Sequence, residues 1–540
     1  MFVTRFGVAG NWAWWAFLPT GLTTVFIYAK LWRKLGVMTD IEFYETRYSG
    51  LSGAFVRGFR TVYLGMCVNT LIMATVTLAI IKIFAVMLGF TQFQTVLIAG
   101  GVAVLFTTFG GFTAVLWSDF VLFLIAMGGS IAAAIVAIRL PEVGGLNGLL
   151  THPNVSGKLS FFPDFHDPKL VITLLAVPLC IQWWSVWYPG AEPGGGSDTA
   201  QRMLAAKTPS HAVGATLFFN ICHYAVRPWP WIIVALASII VFPDFESIQR
   251  AFPDLPANIV ADDAAYPAMM TLLPPGILGI VVASLFAAYM STISTHLNLG
   301  SSYMVNDFYK RFINKEASEK KLVQVGRIWT VLFMAIACCM AFFLKDALSA
   351  FEILLSIGAG TGLLFLLRWF WWRINAFSEI AAMCFAFPIA CFFQLENGLI
   401  PEGSLLADAS IQLVITVAAT TVGWLAVTFL TPPDDKETLR EFVRKTRAGG
   451  PGWKKVYDEA AAEGVELAGA NDKWPVPLGI LCTVVGCVSI YSALFGTGAL
   501  LYGHWLNGTI LFSVAAVTAV VLFLCWRKME ETTVANGETD

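Results

Sequence analysis

GILGIVVASLFAAYMSTISTHLNLGSSYM, residues 276–304, decides the fold class. It is long enough to cross a bilayer as a helix, which takes roughly 20 predominantly apolar residues. Along it Ser284, Ala288, Ser291, Thr295, Asn298 and Ser302 recur at steps of four and three, with Thr292 beside them. That spacing gathers them on one helical face, and Leu285, Tyr289 and Ile293 fall on the other. A stripe of hydroxyls and small residues has two readings. It lets helices approach closely, or it supplies oxygen ligands to a hard cation such as sodium.

Similar runs recur from end to end. Of the 540 residues 57% are hydrophobic and 13% charged, with a mean hydropathy of +0.70. A soluble chain would carry about a quarter charged residues. Hydrocarbon forces every backbone amide to pair internally, so the expected fold class is an all-α polytopic membrane protein. Its net charge of −2 says nothing about partners, but no basic patch with interleaved aromatics points to nucleic acid, which leaves the lipid bilayer. The ten cysteines lack metal-ligand spacing and read as packed thiols, and no metal beyond sodium is expected. With no P-loop, no Gly-x-Ser-x-Gly and no paired histidines, the chain is not expected to be an enzyme or an ATP-driven pump.

About thirteen crossing helices are predicted, at 10–31, 61–89, 94–110, 113–138, 170–189, 211–241, 276–304, 323–344, 351–372, 376–394, 409–430, 475–496 and 505–526. Basic connections (Lys30 to Arg60, Lys310 to Lys321, Arg440 to Lys455) alternate with acidic ones at 243–275 and 395–408. The acidic set includes Asp244, Glu246, Asp254, Asp262, Asp263, Glu396, Glu402 and Asp408. Lys/Arg excess marks the cytoplasmic side. The N-terminus is therefore expected outside and the C-terminus inside. Segment 431–474, charged and alanine-rich, reads as a partly helical, solvated cytoplasmic loop, 475–528 as two C-terminal crossing helices, and 529–540 as a disordered tail.

Other stretches are candidates for chemistry. Pro189-Gly190-Ala191-Glu192-Pro193-Gly194-Gly195-Gly196 interrupts the chain beside a crossing helix. Such breaks expose carbonyls and amides that can hold ions or solute, or they form an ordinary loop. Gln182, Trp183, Trp184, Ser185, Trp187 and Tyr188 precede it, as an interface belt or a stacking gate over a solute. Asn220, His223 and Arg227 share a face of helix 211–241. An intramembrane charge is costly enough to suggest a function, and Arg227 facing a pocket would favour a carboxylate-bearing solute. Glu352 is a further solute candidate or an interfacial carboxylate, and Asp119 a helix-end carboxylate or an ion ligand.

Four ordered stretches resemble the sodium:solute symporter family, the group of sodium/proline and sodium/glucose symporters. They are Gly110-Gly111-Phe112-Thr113-Ala114-Val115-Leu116-Trp117-Ser118-Asp119; Gln201-Arg202-Met203-Leu204-Ala205-Ala206-Lys207; Ala287-Ala288-Tyr289-Met290-Ser291-Thr292-Ile293-Ser294 with Asn306-Asp307-Phe308-Tyr309-Lys310; and Thr39-Asp40-Ile41-Glu42-Phe43 with Arg47-Tyr48. The resemblance implies a LeuT-like inverted-repeat fold with its solute site at mid-membrane. It implies a core at 1–394, with a truncated first repeat at 1–139, a second repeat at 170–375, and an additional helix within 395–430. The family's first core helix would lie before Met1, so a mis-set start or a fragment is expected.

Carried over residue by residue, the resemblance implies Na+ as coupling ion, held by the Ala288 carbonyl and the Ser291 and Thr292 hydroxyls. A possible second sodium would use Asp119, Ser294 and Thr295. The solute would meet Trp14, Gln182, Trp183, Asn220, His223, Arg227 and Glu352. A sugar-binding glutamate of some members aligns with Trp14, and a pocket lysine aligns roughly with His223. The implied function is sodium-driven import of a sugar, amino acid or carboxylate by alternating access across a bacterial inner membrane. A proton-coupled carrier and a non-transporting sensor with the same fold are the alternatives.

Overall fold

In the computed structural model the residues described are 2–188, 190–253, 264–344, 347–395, 400–401, 404–470 and 472–535. Pro189, Asp254, Asp262, Asp263, Glu396 and Glu402, and residues 536–540 of the expected tail, lie outside them. Among the described residues the chain is helical, with a single isolated antiparallel bridge between Val186 and Ala359. Ten helices are long and apolar enough to cross a membrane.

The three remaining expected spans differ for local reasons. Spans 94–110 and 113–138 run on as one stretch, Gln92–Ile138, turned at Gly111, whose φ of 63° and ψ of −176° only glycine adopts easily. Span 10–31 is broken into Trp12–Trp15, Leu18–Thr23, Thr24–Tyr28 and Ala29–Leu35, with Pro19 opening the second piece. Span 351–372 is two helices, Ala347–Gly358 and Gly362–Leu367, separated around Gly360 at φ 81°.

Two compact units form. The first comprises the residues up to Asn11, Thr61–Asp164 and Arg227–Glu352. Its centre is the helix Pro275–Ser302, which packs along Gly101–Ile138. Gly129 lets Ser284 approach so closely that an added Cβ would collide with it. Asn69 anchors the same helix on another side: its Oδ1 accepts from His296 Nδ1 at 2.7 Å and its Nδ2 donates to the His296 carbonyl at 3.0 Å. Tyr289, Ile293 and Leu297 are buried against Met73, Phe84, Phe333 and Met334, as the apolar side of the stripe requires.

The second unit comprises Trp12–Arg60, Phe165–Val226 and Ile353–Asp540. Two interrupted helices meet in it. Trp187 N–H donates to Gly358 O and Gly360 N–H to Ser185 O, both at 2.9 Å. Each break thus satisfies the other's freed backbone groups. Gly358 and Gly362 are pressed against the 184–187 backbone, where a side chain would not fit.

The same unit contains a buried ionic knot. Glu379 is fully buried and accepts from Tyr48 Oη at 2.8 Å, Arg60 Nη2 at 3.1 Å and Arg368 Nη1 at 3.3 Å. Arg47, also fully buried, donates to the carbonyls of Arg368, Trp371 and Ile374 at 3.0 Å and faces Asp434. Its guanidinium lies 5.0 Å from the Trp453 ring centre and 5.4 Å from that of Phe442.

Those contacts pack the segment 431–474, expected to be partly helical, against the rest of its unit and do not leave it solvated. It forms the helices Lys436–Thr446 and Lys454–Ala462, with Phe442, Val443 and Trp453 fully buried. The tail is revised too. The last helix runs from Trp505 to Ala535, supported by an Arg527–Glu531 pair at 3.2 Å and by Ser210 donating to Glu530 at 3.0 Å.

Removing one partner from a buried ion pair leaves an uncompensated charge, at about 3–5 kcal/mol. Glu379→Gln removes the anion that Arg60 and Arg368 share and is expected to lose about that much stability. Thermal unfolding in detergent checks it, with an exposed-pair variant such as Glu531→Gln expected to stay near wild type.

Candidate functional site

The first unit brings Asp119 to the hydroxyl stripe. The turn at Gly111 starts a fresh helical segment, and Asp119 sits two turns along it. Ser291 Oγ donates to Asp119 Oδ1 at 2.6 Å, and Thr295 Oγ1 approaches Oδ2 at 3.5 Å. Thr292 Oγ1 donates to the Ala288 carbonyl at 3.1 Å, and Ser294 Oγ to the Ser291 carbonyl at 3.2 Å. Ser291, Thr292 and Asp119 are half-buried, Ala288 is exposed, and Ser294 and Thr295 are buried. The stripe is therefore sealed by Gly129 at Ser284 and open one to two turns later. One carboxylate, four hydroxyls and two carbonyls within about two helical turns form a hard-oxygen donor set suited to a small cation.

The second unit holds a narrow cavity lined by Phe17, Thr20, Thr24, Glu192, Thr216, Asn220, His223 and Tyr224, among others. Asn220 is buried and donates to Thr216 O at 2.8 Å. Gly21 meets Asn220 so closely that a Cβ would collide with its Oδ1. Thr20 donates to the Trp183 carbonyl, and Gln182 Nε2 to Ala13 O at 3.3 Å. Trp14 stacks on Tyr224, with ring centres 5.7 Å apart and planes 21° apart, and meets His223 edge-on at 5.4 Å.

The glycine run closes one wall of this cavity. Gly194 and Gly195 have φ of 84° and 68°. Trp32 Nε1 donates to Gly194 O at 2.6 Å, and Thr24 fills the place of a Gly195 Cβ. Gly196 leaves room for the Glu192 carboxylate. Burial first, then the Asp40 and Asp198 carboxylates, push the Glu192 carboxyl well above its ordinary 4.5, against a smaller pull from Arg368 and a Ser197 hydrogen bond.

Of the expected solute contacts, Asn220 and His223 line this cavity, Trp14 packs on the lining residues His223 and Tyr224, the Trp183 carbonyl accepts from Thr20, and Gln182 is tied to Ala13. It did not assign Glu192, Asp40, Thr20, Thr24 or Thr216. The signal for Glu192 was present, as a carboxylate enclosed by prolines and glycines. Arg227 and Glu352 belong to the other unit. Arg227 lies 4.5 Å over the Trp231 ring, and Glu352 is exposed.

The model of the sodium:solute symporter family matches residues 2–385. This chain belongs to that family. Its relatives in the family include the sodium/glucose cotransporter of Vibrio parahaemolyticus, 25% identical over 59% of this chain and 60% of that one. Sodium/glucose cotransporter 4 of Danio rerio is 26% identical over 87% of this chain and 73% of its own length. The sodium/myo-inositol cotransporter of Canis lupus familiaris is 26% identical over 65% of this chain and 54% of its own. The chain thus spans little more than half the length of several of these relatives. A Na+-coupled sialic acid symporter, solved substrate-bound and outward-open with a novel Na+ site, has a TM-score of 0.60 to this family member at 21% identity. The match covers 80% of this chain and 88% of that one, and the shared fold is the LeuT-like one.

Gly195→Ala tests the wall of the cavity. A left-handed backbone and a blocked Cβ together are expected to cost about 1–3 kcal/mol. A lowered Tm in detergent, against little change for Gly214→Ala in a helix with open space beside it, checks this.

Proposed function

We propose that this symporter-family chain couples inward sodium flow to the import of a small, hydroxyl-rich organic solute by alternating access. The observation that carries the reading is Asp119 held by Ser291 and facing Thr295, past the point where Gly129 seals the stripe at Ser284. We assign one sodium to the Ala288 carbonyl with the Ser291 and Thr292 hydroxyls, and a second to Asp119, Ser294 and Thr295. Sodium replaces the hydroxyl protons as the partner of these oxygens, and so favours the conformer in which they converge. Coupling follows because ion and solute both bind that conformer better than its alternative.

The solute class rests on the second unit's cavity. Thr20, Thr24, Thr216, Asn220 and His223 offer neutral donors and acceptors beside Phe17 and Tyr224. Neutral, paired hydrogen-bonding groups next to aromatic faces suit a sugar or polyol. Glucose, myo-inositol and mannose appear in the names of relatives. A carboxylate solute fits less well, since Arg227 already lies over Trp231. The placement is a bacterial inner membrane with the basic segments in the cytoplasm. Arg47 and Asp434, from two of the segments expected on that side, meet in one cluster.

The test is uptake of labelled sugars and polyols by vesicles holding the protein, with sodium replaced by potassium at constant pH. Ser291→Ala with Thr292→Ala is expected to raise the half-saturating sodium concentration roughly ten-fold or more, the effect of about 1.4 kcal/mol. Unchanged sodium dependence in that double variant sinks the ion assignment.

A further inference from the structure

The Gly/Pro loop carries chemistry that sodium coupling does not use. Three carboxylates, Asp40, Glu192 and Asp198, meet beside Gly196. An added Cβ at Gly196 would collide with Glu192 Oε1 and lie 3.5 Å from Asp40 Oδ2. Asp198, in the first turn of the helix Ser197–Leu204, also raises the cost of a charge on Glu192. Asp40 Oδ2 accepts the Ser197 N–H at 2.8 Å, so the first amide of that helix is already satisfied by a carboxylate other than Glu192.

Glu192 itself is 6% exposed, and its Oε2 is buried with no hydrogen-bond partner. It lines the cavity that holds Asn220 and His223. A buried carboxylate oxygen with no donor is expensive, whereas a carboxylic acid can itself donate to a neighbouring carboxylate. The cations nearby are committed elsewhere. Arg368, the basic group felt by Glu192, is hydrogen-bonded to Glu379 and Tyr44, and Arg202 donates to the Asp198 carbonyl. Tyr28 packs at Gly194 and donates to Leu366 O, and His223 and Tyr224 face the same cavity.

We propose that Glu192 is a proton-binding site: its carboxyl holds a proton beside Asp40 and Asp198 at the wall of the solute cavity, taken from and returned to cytoplasmic water. The neutral acid lets three carboxyl groups share one enclosed space. Loss of the proton would place a third negative charge there and force the loop 190–196 off the cavity. Protonation therefore sets whether this wall is in place, and makes the transporter respond to cytoplasmic pH. That last consequence rests on the transport reading, but the site itself does not.

The experiment is an infrared pH titration of the purified full chain in detergent, without solute, reading the carboxylic-acid C=O stretch. Wild type is expected to keep a buried acid band at neutral pH, shifted by deuterium, and Glu192→Gln to lose it. Asp198→Asn removes a repelling charge and is expected to move the midpoint of that band to lower pH. The linked stability has a definite sign. Glu192 binds its proton more tightly when folded, so stability falls as pH rises from about 4.5 through the folded-state value, and Glu192→Gln flattens this loss. An acid band that disappears near pH 5, or an Asp198→Asn midpoint equal to wild type, overturns the proposal even if sodium-driven uptake is intact. If Glu192→Gln fails to fold, the Asp198→Asn midpoint decides alone.

Discussion

Every break in a helix inside hydrocarbon must have its freed amides and carbonyls caught by something. This constraint explains where the irregular backbone of this chain occurs. The interruption at 186–188 is caught by the interruption at 358–360, through two main-chain hydrogen bonds. The loop at 194–196 is caught by Trp32, Asp40 and the Thr24 side chain. At Gly111 the chain turns within a single stretch, which places Asp119 against a different helix. The breaks at Gly111 and 194–196 lie near the groups proposed to hold ion and proton, Asp119 and Glu192, as a group freed from regular hydrogen bonding is available to a ligand.

The buried charges follow a related rule. Glu379 joins the segments that carry Tyr48, Arg60 and Arg368, while Arg47 binds four carbonyls around 368–374 and reaches Asp434. Few apolar contacts could specify the meeting of so many separate stretches. A guanidinium with five directed donors can, since each unmade bond in a dry site is costly. Trp453 and Phe442 then cover Arg47 and keep water out.

Much of this was legible in the sequence where periodicity carries the signal. The stripe through Ser291 and Thr295 was placed on one face by its spacing alone, and that face does meet Asp119. Tyr289 and Ile293, set on the opposite side by the same pattern, are buried, but their partners come from distant helices that spacing does not name. Apolar length could not reveal Pro19 and Gly360 as breaks, because a run of suitable length looks the same whether continuous or interrupted. The segment 431–474 misled through its charges. Its buried residues include Leu439, Phe442, Val443 and Trp453, and Phe442 packs on Trp369 and Phe43, far away in the chain. Glu192 was visible in its loop, but its unusual setting is made by Asp40 from a distant segment, which no local pattern encodes. Arg227 and Glu352 looked functional by charge and lie in the other unit from Asn220 and His223.

The packed linker has a practical meaning for anyone wishing to attach a reporter to this molecule. The stretch around 447–452 looks permissive, being polar and glycine-rich. Yet Arg447 has a left-handed backbone, Gly450 lies flat against the Trp474 ring, and Gly452 rests on the Phe370 carbonyl. A fluorescent domain or epitope spliced there would pry Trp453 from Arg47 and unseat the ionic knot from a distance. The exposed turn at Gly464, where an added side chain meets open space, is the better place to graft one.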